Sequence, residues 1–228
     1  MHRGLRMHAT PTHLCVIARA RARNRFVTHG RYAPGGADGE TTMFIRSERL
    51  FLRPGWPEDR AELHTLLADE TVVRNLAHVP WPYTAEDAQA FLAMPQTPLL
   101  PRFLITLPQA GGARLVGCCG LSLLDNEINL GYWIARDAWG RGYATEAAGA
   151  VLGLAHALGH RRIVAHHYVD NAASGRVLEK VGFRRTGRVA ERFSKSRGFA
   201  SPSREYEVSF ESDGDCDGDD AMNRRRAA

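Results

Sequence analysis

A tight glycine turn between a strand and a long helix limits what this chain can fold into more than any other feature. Gly131-Tyr132-Trp133-Ile134 ends a run with strand character, and Trp139-Gly140-Arg141-Gly142-Tyr143-Ala144-Thr145-Glu146-Ala147 opens a helix. Ala144, Ala147, Ala148, Val151, Leu152, Ala155 and Leu158 keep helical spacing, which predicts a helix over 142–158. Glycines at such a turn let the backbone approach a ligand closely. The first helical turn leaves N–H groups unpaired at the positive end of the helix dipole. The turn is therefore a candidate anion cradle, although Gly-Arg-Gly alone serves equally well as a tight connection.

The rest of the chain alternates strands and helices around this unit. Phe44 to Arg53 reads as a strand, and Glu58 to Leu67 as a helix entered through Pro57. Thr84, followed by Glu86 and Asp87, reads as the N-cap of a helix through Met94. Strands follow at 103–107, 113–123 and 127–134, the first two separated by Gly111-Gly112. After the long helix come a strand at 162–169, a helix from Asn171 to Val181 ended by Gly182, and strands at 183–189 and 203–210. A strand meander followed by strand, helix, strand, helix, strand predicts an α+β domain with a mixed sheet.

Composition marks off the ends. Arg3, Arg6, Arg19, Arg21, Arg23, Arg25 and Arg31 precede the first acid, Asp38, and the stretch runs into Pro34-Gly35-Gly36. Residues 1–42 are read as a disordered or non-native N-terminal extension before a domain over 43–210, although an Arg-rich, acid-poor start also suits a transit peptide. Residues 211–228 are read as a disordered tail. The basic excess is concentrated in the first 42 residues and the charges over 43–210 nearly balance, so no dedicated nucleic-acid surface is expected. No apolar run approaches the roughly 20 residues of a membrane span. A cytoplasmic protein with no membrane association, monomeric or homodimeric, is the expectation. Cys118 and Cys119 adjoin in an apolar segment and read as buried small hydrophobes, and no ligand cluster predicts a metal.

The string from Gly131 to Ala147 resembles the pyrophosphate-binding motif of the GNAT acetyltransferases, specifically the group that includes the ribosomal-protein N-acetyltransferases of RimJ/RimL type. Gly142 and Ala144 fit the superfamily pattern, while Trp139 stands at its opening position as in that group. Asn171-Ala-Ala-Ser174-Gly-Arg-Val-Leu-Glu179-Lys180-Val-Gly182-Phe183 resembles the family's last cofactor motif. The likeness runs over about 43–210, and implies a GNAT fold with a mixed, mostly antiparallel sheet flanked by helices. It implies acetyl-CoA as cosubstrate, with Trp139, Gly140, Arg141, Gly142, Tyr143, Ala144 and Thr145 on its pyrophosphate. Tyr132, Trp133 and Ile134 would pair with the pantetheine arm, and Asn171 and Ser174 would face pantetheine and thioester.

The implied reaction is acetyl transfer to a primary amine, a ribosomal-type protein N-terminus or a small molecule. The alternative is a non-catalytic CoA-binding regulatory module. Ser174 is the candidate to hydrogen-bond the departing sulfur, and a thiol of pKa about 8.5 leaves without full protonation. Many relatives carry Glu two residues before Gly-Tyr-Trp, where this chain has Asn129, which cannot act as a base. Glu127, two positions earlier on the same strand face, is the candidate substitute through a water, or else a solvated carboxylate. His166 and His167 also titrate near working pH, with packing the favoured role for each, and alternation points only one of them toward the cofactor. Trp81 and Tyr83 either line the acceptor pocket or staple their loop.

Overall fold

In the computed structural model, the described residues are 25–30 and 41–210. Three short strands open the sheet: β1 (Arg25–Gly30), β2 (Thr41–Arg46) and β3 (Phe51–Arg53). The strand expected over 44–53 is therefore two, because Ser47 turns the chain back by donating its amide to the Leu50 carbonyl at 3.1 Å. β1 lies within the stretch set apart by composition, and pairs antiparallel with β2. The remainder of 1–42, and 211–228, fall outside the described residues.

A 3-10 turn at Pro57–Asp59 leads into α1 (Arg60–Leu67), followed by α2 (Glu70–Val73) and α3 (Ala85–Ala93). The short α2 carries no periodicity of its own to predict it. It is started by Asp69, whose side chain accepts from the Thr71 amide. Thr84 and Asp87 cap α3 reciprocally.

β4 (Arg102–Gln109), β5 (Gly112–Leu124) and β6 (Glu127–Ile134) form the meander. β5 and β6 are joined through Asp125 and Asn126, both at positive φ, a two-residue turn that fixes the register Leu124↔Glu127. α4 (Tyr143–Ala157), β7 (Arg162–Tyr168), α5 (Ala172–Lys180), β8 (Arg184–Ser194) and β9 (Phe199–Ser209) complete the described chain. The nine strands run in the order β1-β2-β3-β4-β5-β6-β7-β9-β8. Every pairing is antiparallel except β6 with β7.

Each face of the sheet buries its own core. On one face α4 and α5 pack through Ala147, Val151, Ala155 and Leu178 over Leu130, Ile163, Ala165 and Tyr206. On the other, Leu63, Leu67, Val73 and Ala88 cover Leu104, Leu115, Cys118 and Trp133. Cys118 and Cys119 are free, buried, and on opposite faces. Tyr83 is in the second core, and burial pushes its phenol up to about 12, so the loop-staple role fits it better than a pocket wall. Among the described residues, no helix is long and apolar enough to cross a membrane.

Candidate active site

The site is built where the one parallel pairing among the described residues gives out. β6 and β7 pair at a single position, Asn129↔Val164, and no further ladder bond joins them as they run on toward Ile134 and Tyr168. Because side chains alternate, this opening has two differently furnished faces. Leu130 and Ile163 place Tyr132 and His167 on the α4/α5 face, whereas Trp133 and Tyr168 mark the opposite face, which receives Asn129, Gly131 and His166.

The turn after β6 is shaped as an anion cradle. Gly140 and Gly142 have φ of +75° and +79°, a region that L side chains rarely adopt, and a Cβ on Gly140 would meet nothing within 4 Å. Among the described residues, no hydrogen bond uses the amides of Gly140, Arg141 or Gly142. The first-turn amides of α4 (Tyr143, Ala144, Thr145) have no intrahelical partner by geometry. Trp139 is half exposed and donates its indole N–H to the Ile134 carbonyl at 2.7 Å, tying the turn to the end of β6.

A brace that sequence reasoning missed holds this turn. Arg49, between β2 and β3, donates Nε to Glu146 Oε2 and its amide to Glu146 Oε1, each at 2.7 Å. Its Nη1 reaches the Arg141 carbonyl at 2.9 Å, and its guanidinium lies 4.8 Å from the Tyr143 ring centroid. Ser47 Oγ donates to the same carboxylate at 2.7 Å. Burial raises the Glu146 pKa, but these donors outweigh it and hold the carboxyl below its usual value. No local pattern announces the contact, since the partners lie 97 residues apart.

On the α4/α5 face Tyr132 and Ser174 meet. Their hydroxyls are 2.8 Å apart, and the phenol oxygen is also 3.1 Å from the Ser174 carbonyl, so its one proton serves one of these two contacts at a time. Burial raises the Tyr132 pKa well above that of a free phenol. Asn171 caps α5, its Oδ1 accepting from the Ser174 amide at 3.3 Å, which fixes Ser174 at the mouth of the opening. A Cβ on Gly175 would come within 2.8 Å of His167 Nε2, so α5 lies close on β7. His167 is buried, and its Nδ1–H donates to the Tyr168 carbonyl at 2.7 Å, a packing role.

The opposite face is polar. Asn129 Oδ1 is 3.1 Å from His166 Nδ1, and Arg192 Nη2 is 2.9 Å from His166 Nε2. Arg192 also donates to Asp125 Oδ2 at 3.2 Å, and Glu205 Oε2 stands 3.6 Å from His166 Nε2. Glu127 is ion-paired with Arg162, which also binds Glu207. The predicted site residues thus fall into three groups: Trp139 to Thr145 at the cradle, Tyr132 with Asn171 and Ser174 on one face, and Asn129 on the other. Trp133 is buried in the second core, and Glu127 is engaged at the start of β6. Among the described residues, no group of side chains could hold a metal ion.

The sequence matches the acetyltransferase (GNAT) domain family over residues 49–184, from the arginine of the brace to the strand after α5. An uncharacterized N-acetyltransferase p20 from Bacillus licheniformis is 25% identical over 161 residues, covering 68% of this chain and 89% of that protein. Among solved structures, a GNAT-family acetyltransferase from Bacillus anthracis is 26% identical, covers 73% of this chain and 98% of its own, and superposes with a TM-score of 0.63. RimL, a ribosomal L7/L12 alpha-N-protein acetyltransferase solved with coenzyme A, shares the fold at a TM-score of 0.60 with 20% identity, over 72% of this chain and 96% of its own. With the motifs at 131–147 and 171–183 placed around one opening in a mixed sheet, this chain belongs to the GNAT acetyltransferase family.

Proposed function

We infer that the protein transfers an acetyl group from acetyl-CoA to a primary amine by direct attack on the thioester. The observation that carries this reading is the opening between β6 and β7, with an amide cradle at its end and a hydroxyl pair on one face. The groups present fit the cosubstrate. Unpaired amides at the cradle suit a pyrophosphate, and the Tyr132 to Ile134 segment and Asn171 border the space for a pantetheine arm.

Acetyl-CoA supplies the activated acyl carbon and a thiolate leaving group. The chain orients it, excludes water, and handles protons on either side. Ser174, backed by the Tyr132 phenol, is placed to hydrogen-bond the departing sulfur, which lowers the barrier only in proportion to the charge that develops there. Asn129 lies on the opposite face, from which the amine would approach. An attack from one face and a departure toward the other needs no covalent enzyme intermediate.

A protein N-terminus or a small-molecule amine is the acceptor class. RimL is named for an α-amino target, and an α-amine near pKa 8 offers far more neutral nitrogen at pH 7 than a lysine near 10.4. The test is an acetyl-CoA consumption screen over N-terminal peptides, polyamines, amino acids and aminoglycosides. Turnover with at least one primary amine is expected. Modification of hydroxyl groups alone would overturn it.

A further inference from the structure

We propose that Asn129, its carboxamide oriented by His166, is the hydrogen-bond donor that holds the carbonyl beside the reacting amine, so that the site selects α-amino amides over amines that lack a carbonyl. This rests on the reading of the opening as the site of acetyl transfer, and gives Asn129, which cannot act as a base, a part in choosing the acceptor.

Asn129 stands where β6 parts from β7. Its cross-strand neighbour on β5 is Ser122, and Gly131 follows it on the same face. Asn129 Oδ1 and His166 Nδ1, 3.1 Å apart, join β6 to β7 on this face. The carboxamide nitrogen points the other way. It is 3.5 Å from Ser122 Oγ, at the limit of a hydrogen bond, and 4.0 Å from where a Cβ on Gly131 would be. Gly131 is exposed, and apart from its chain neighbours nothing else comes within 4 Å of that position, so the amide looks onto open space beside the opening. A carboxamide nitrogen has two hydrogens to donate, and among the described residues the long contact with Ser122 is the one use made of them.

The imidazole decides which end of the carboxamide points where. A guanidinium can only donate, so the 2.9 Å contact from Arg192 Nη2 occupies the lone pair of Nε2, and Nδ1 carries the proton. That N–H needs an acceptor, so the oxygen of Asn129 faces it and the nitrogen is turned away. A protonated ring has the same Nδ1–H, and the orientation is the same in either state. Arg192 is itself held by Asp125 at 3.2 Å. Asp125, Arg192 and His166 thus keep the Asn129 amide hydrogens directed toward Ser122 and Gly131.

A donor in this place discriminates by chemistry. An ammonium has only hydrogens to offer and gains nothing from an N–H donor, whereas a carbonyl gains a hydrogen bond. At a peptide N-terminus or in an amino-acid amide, the amine nitrogen and the carbonyl oxygen are held roughly 3–4 Å apart by covalent geometry. A carbonyl above Gly131 therefore leaves its amine over the opening. The nearby carboxylates Asp125, Glu127, Glu205 and Glu207 are each paired with an arginine, so none is free to receive the second ammonium of a polyamine. The carbonyl bond is made in the bound acceptor and kept during attack, so it acts on KM more than on kcat.

The experiment uses the full chain and two amines of nearly the same shape, alaninamide with the carbonyl and isopropylamine without it. Thiol release is the readout, and rates are counted on the neutral amine. The wild type should prefer alaninamide by about 10-fold in kcat/KM, the worth of one net hydrogen bond. Asn129→Asp and Asn129→Leu should lose that preference through a higher KM for alaninamide. His166→Phe should lose part of it, and His166→Gln should restore it, because a glutamine amide can donate to Asn129 Oδ1 as the ring does. Asn129 variants that bind acetyl-CoA by calorimetry and keep the wild-type preference, or that lose equally on both amines, would overturn the role of Asn129 alone. So would a wild type that turns over both amines alike. A His166→Phe variant with the full preference would overturn the orienting role of His166. A wild type that binds acetyl-CoA yet acetylates neither amine would overturn the amine-transfer reading and, with it, this one.

Discussion

The Tyr132 phenol and the Ser174 hydroxyl lie 2.8 Å apart, one carried by β6 and the other by α5, across the α4/α5 face of the opening. A serine placed this way is ordered before any ligand arrives. Ser174→Ala should therefore lower kcat by roughly 10-fold and leave acetyl-CoA affinity nearly unchanged. The loss stays below the 10²–10⁴ of a full general acid because a thiol departs as thiolate with little help. Tyr132→Phe should give a smaller loss in the same direction. Steady-state kinetics beside calorimetry checks the split, and a change confined to affinity would assign the pair to binding.

Arg49 and Glu146 tie the cradle to the β2–β3 turn, so they govern its shape rather than its contacts with ligand. Glu146→Gln should weaken acetyl-CoA binding and lower the melting temperature. The sign of its pH dependence follows from the depressed carboxyl: the contribution of Glu146 is fully present above its ordinary pKa of 4.5 and is lost as pH falls through the lower folded value. The stability gap between wild type and Glu146→Gln should be flat above about pH 5 and shrink below it. Denaturant titrations across pH 3 to 7 measure that gap.

Gly142 stands at φ +79°, with a Cβ position only 3.4 Å from Arg49 Nη2. Gly142→Ala should cost about 1–2 kcal/mol in backbone strain, disturb the brace and reduce acetyl-CoA affinity. Gly140→Ala carries the same strain but meets no neighbour, so it separates strain from loss of the brace. Calorimetry on the two variants should rank Gly142→Ala the weaker binder.

Arg53 and Asp59 form a bidentate pair at 2.6 and 2.7 Å, with side chains 10% and 8% exposed, and Asp59 also accepts from the Trp56 amide. Asp59→Ala leaves a buried guanidinium unpaired and should destabilise by about 3–5 kcal/mol. The pair joins β3 to α1 away from the opening, so activity per folded molecule should hold. Chemical denaturation with an active-site titration tests both halves.

The cradle and the Asn171–Ser174 helix were legible in the sequence because each is a local device. A glycine pair before a helix, and an asparagine at a cap, declare themselves within a dozen residues. The strand Glu127–Ile134 was readable to the residue, since a two-residue turn and an apolar run bound it. The Ser47 turn that divides the first strand was not, because it depends on the Glu146 carboxylate far along the chain. The polar face was hidden for the same reason. His166, Arg192 and Glu205 come from three strands, and only the order β7-β9-β8 brings them together. In the sequence, His166 and His167 look alike, and the faces they take are decided by which neighbours join the core.

The central claim is that this opening passes an acetyl group to an amine nitrogen. The most direct test incubates the full chain with acetyl-CoA and a mixture of N-terminal peptides and small amines, then locates the acetyl group by tandem mass spectrometry while free thiol is counted. The account predicts acetyl on a primary amine nitrogen, in proportion to the thiol released. Acetyl found only on hydroxyl oxygens, or no transfer to any amine by a protein that binds acetyl-CoA, would contradict it.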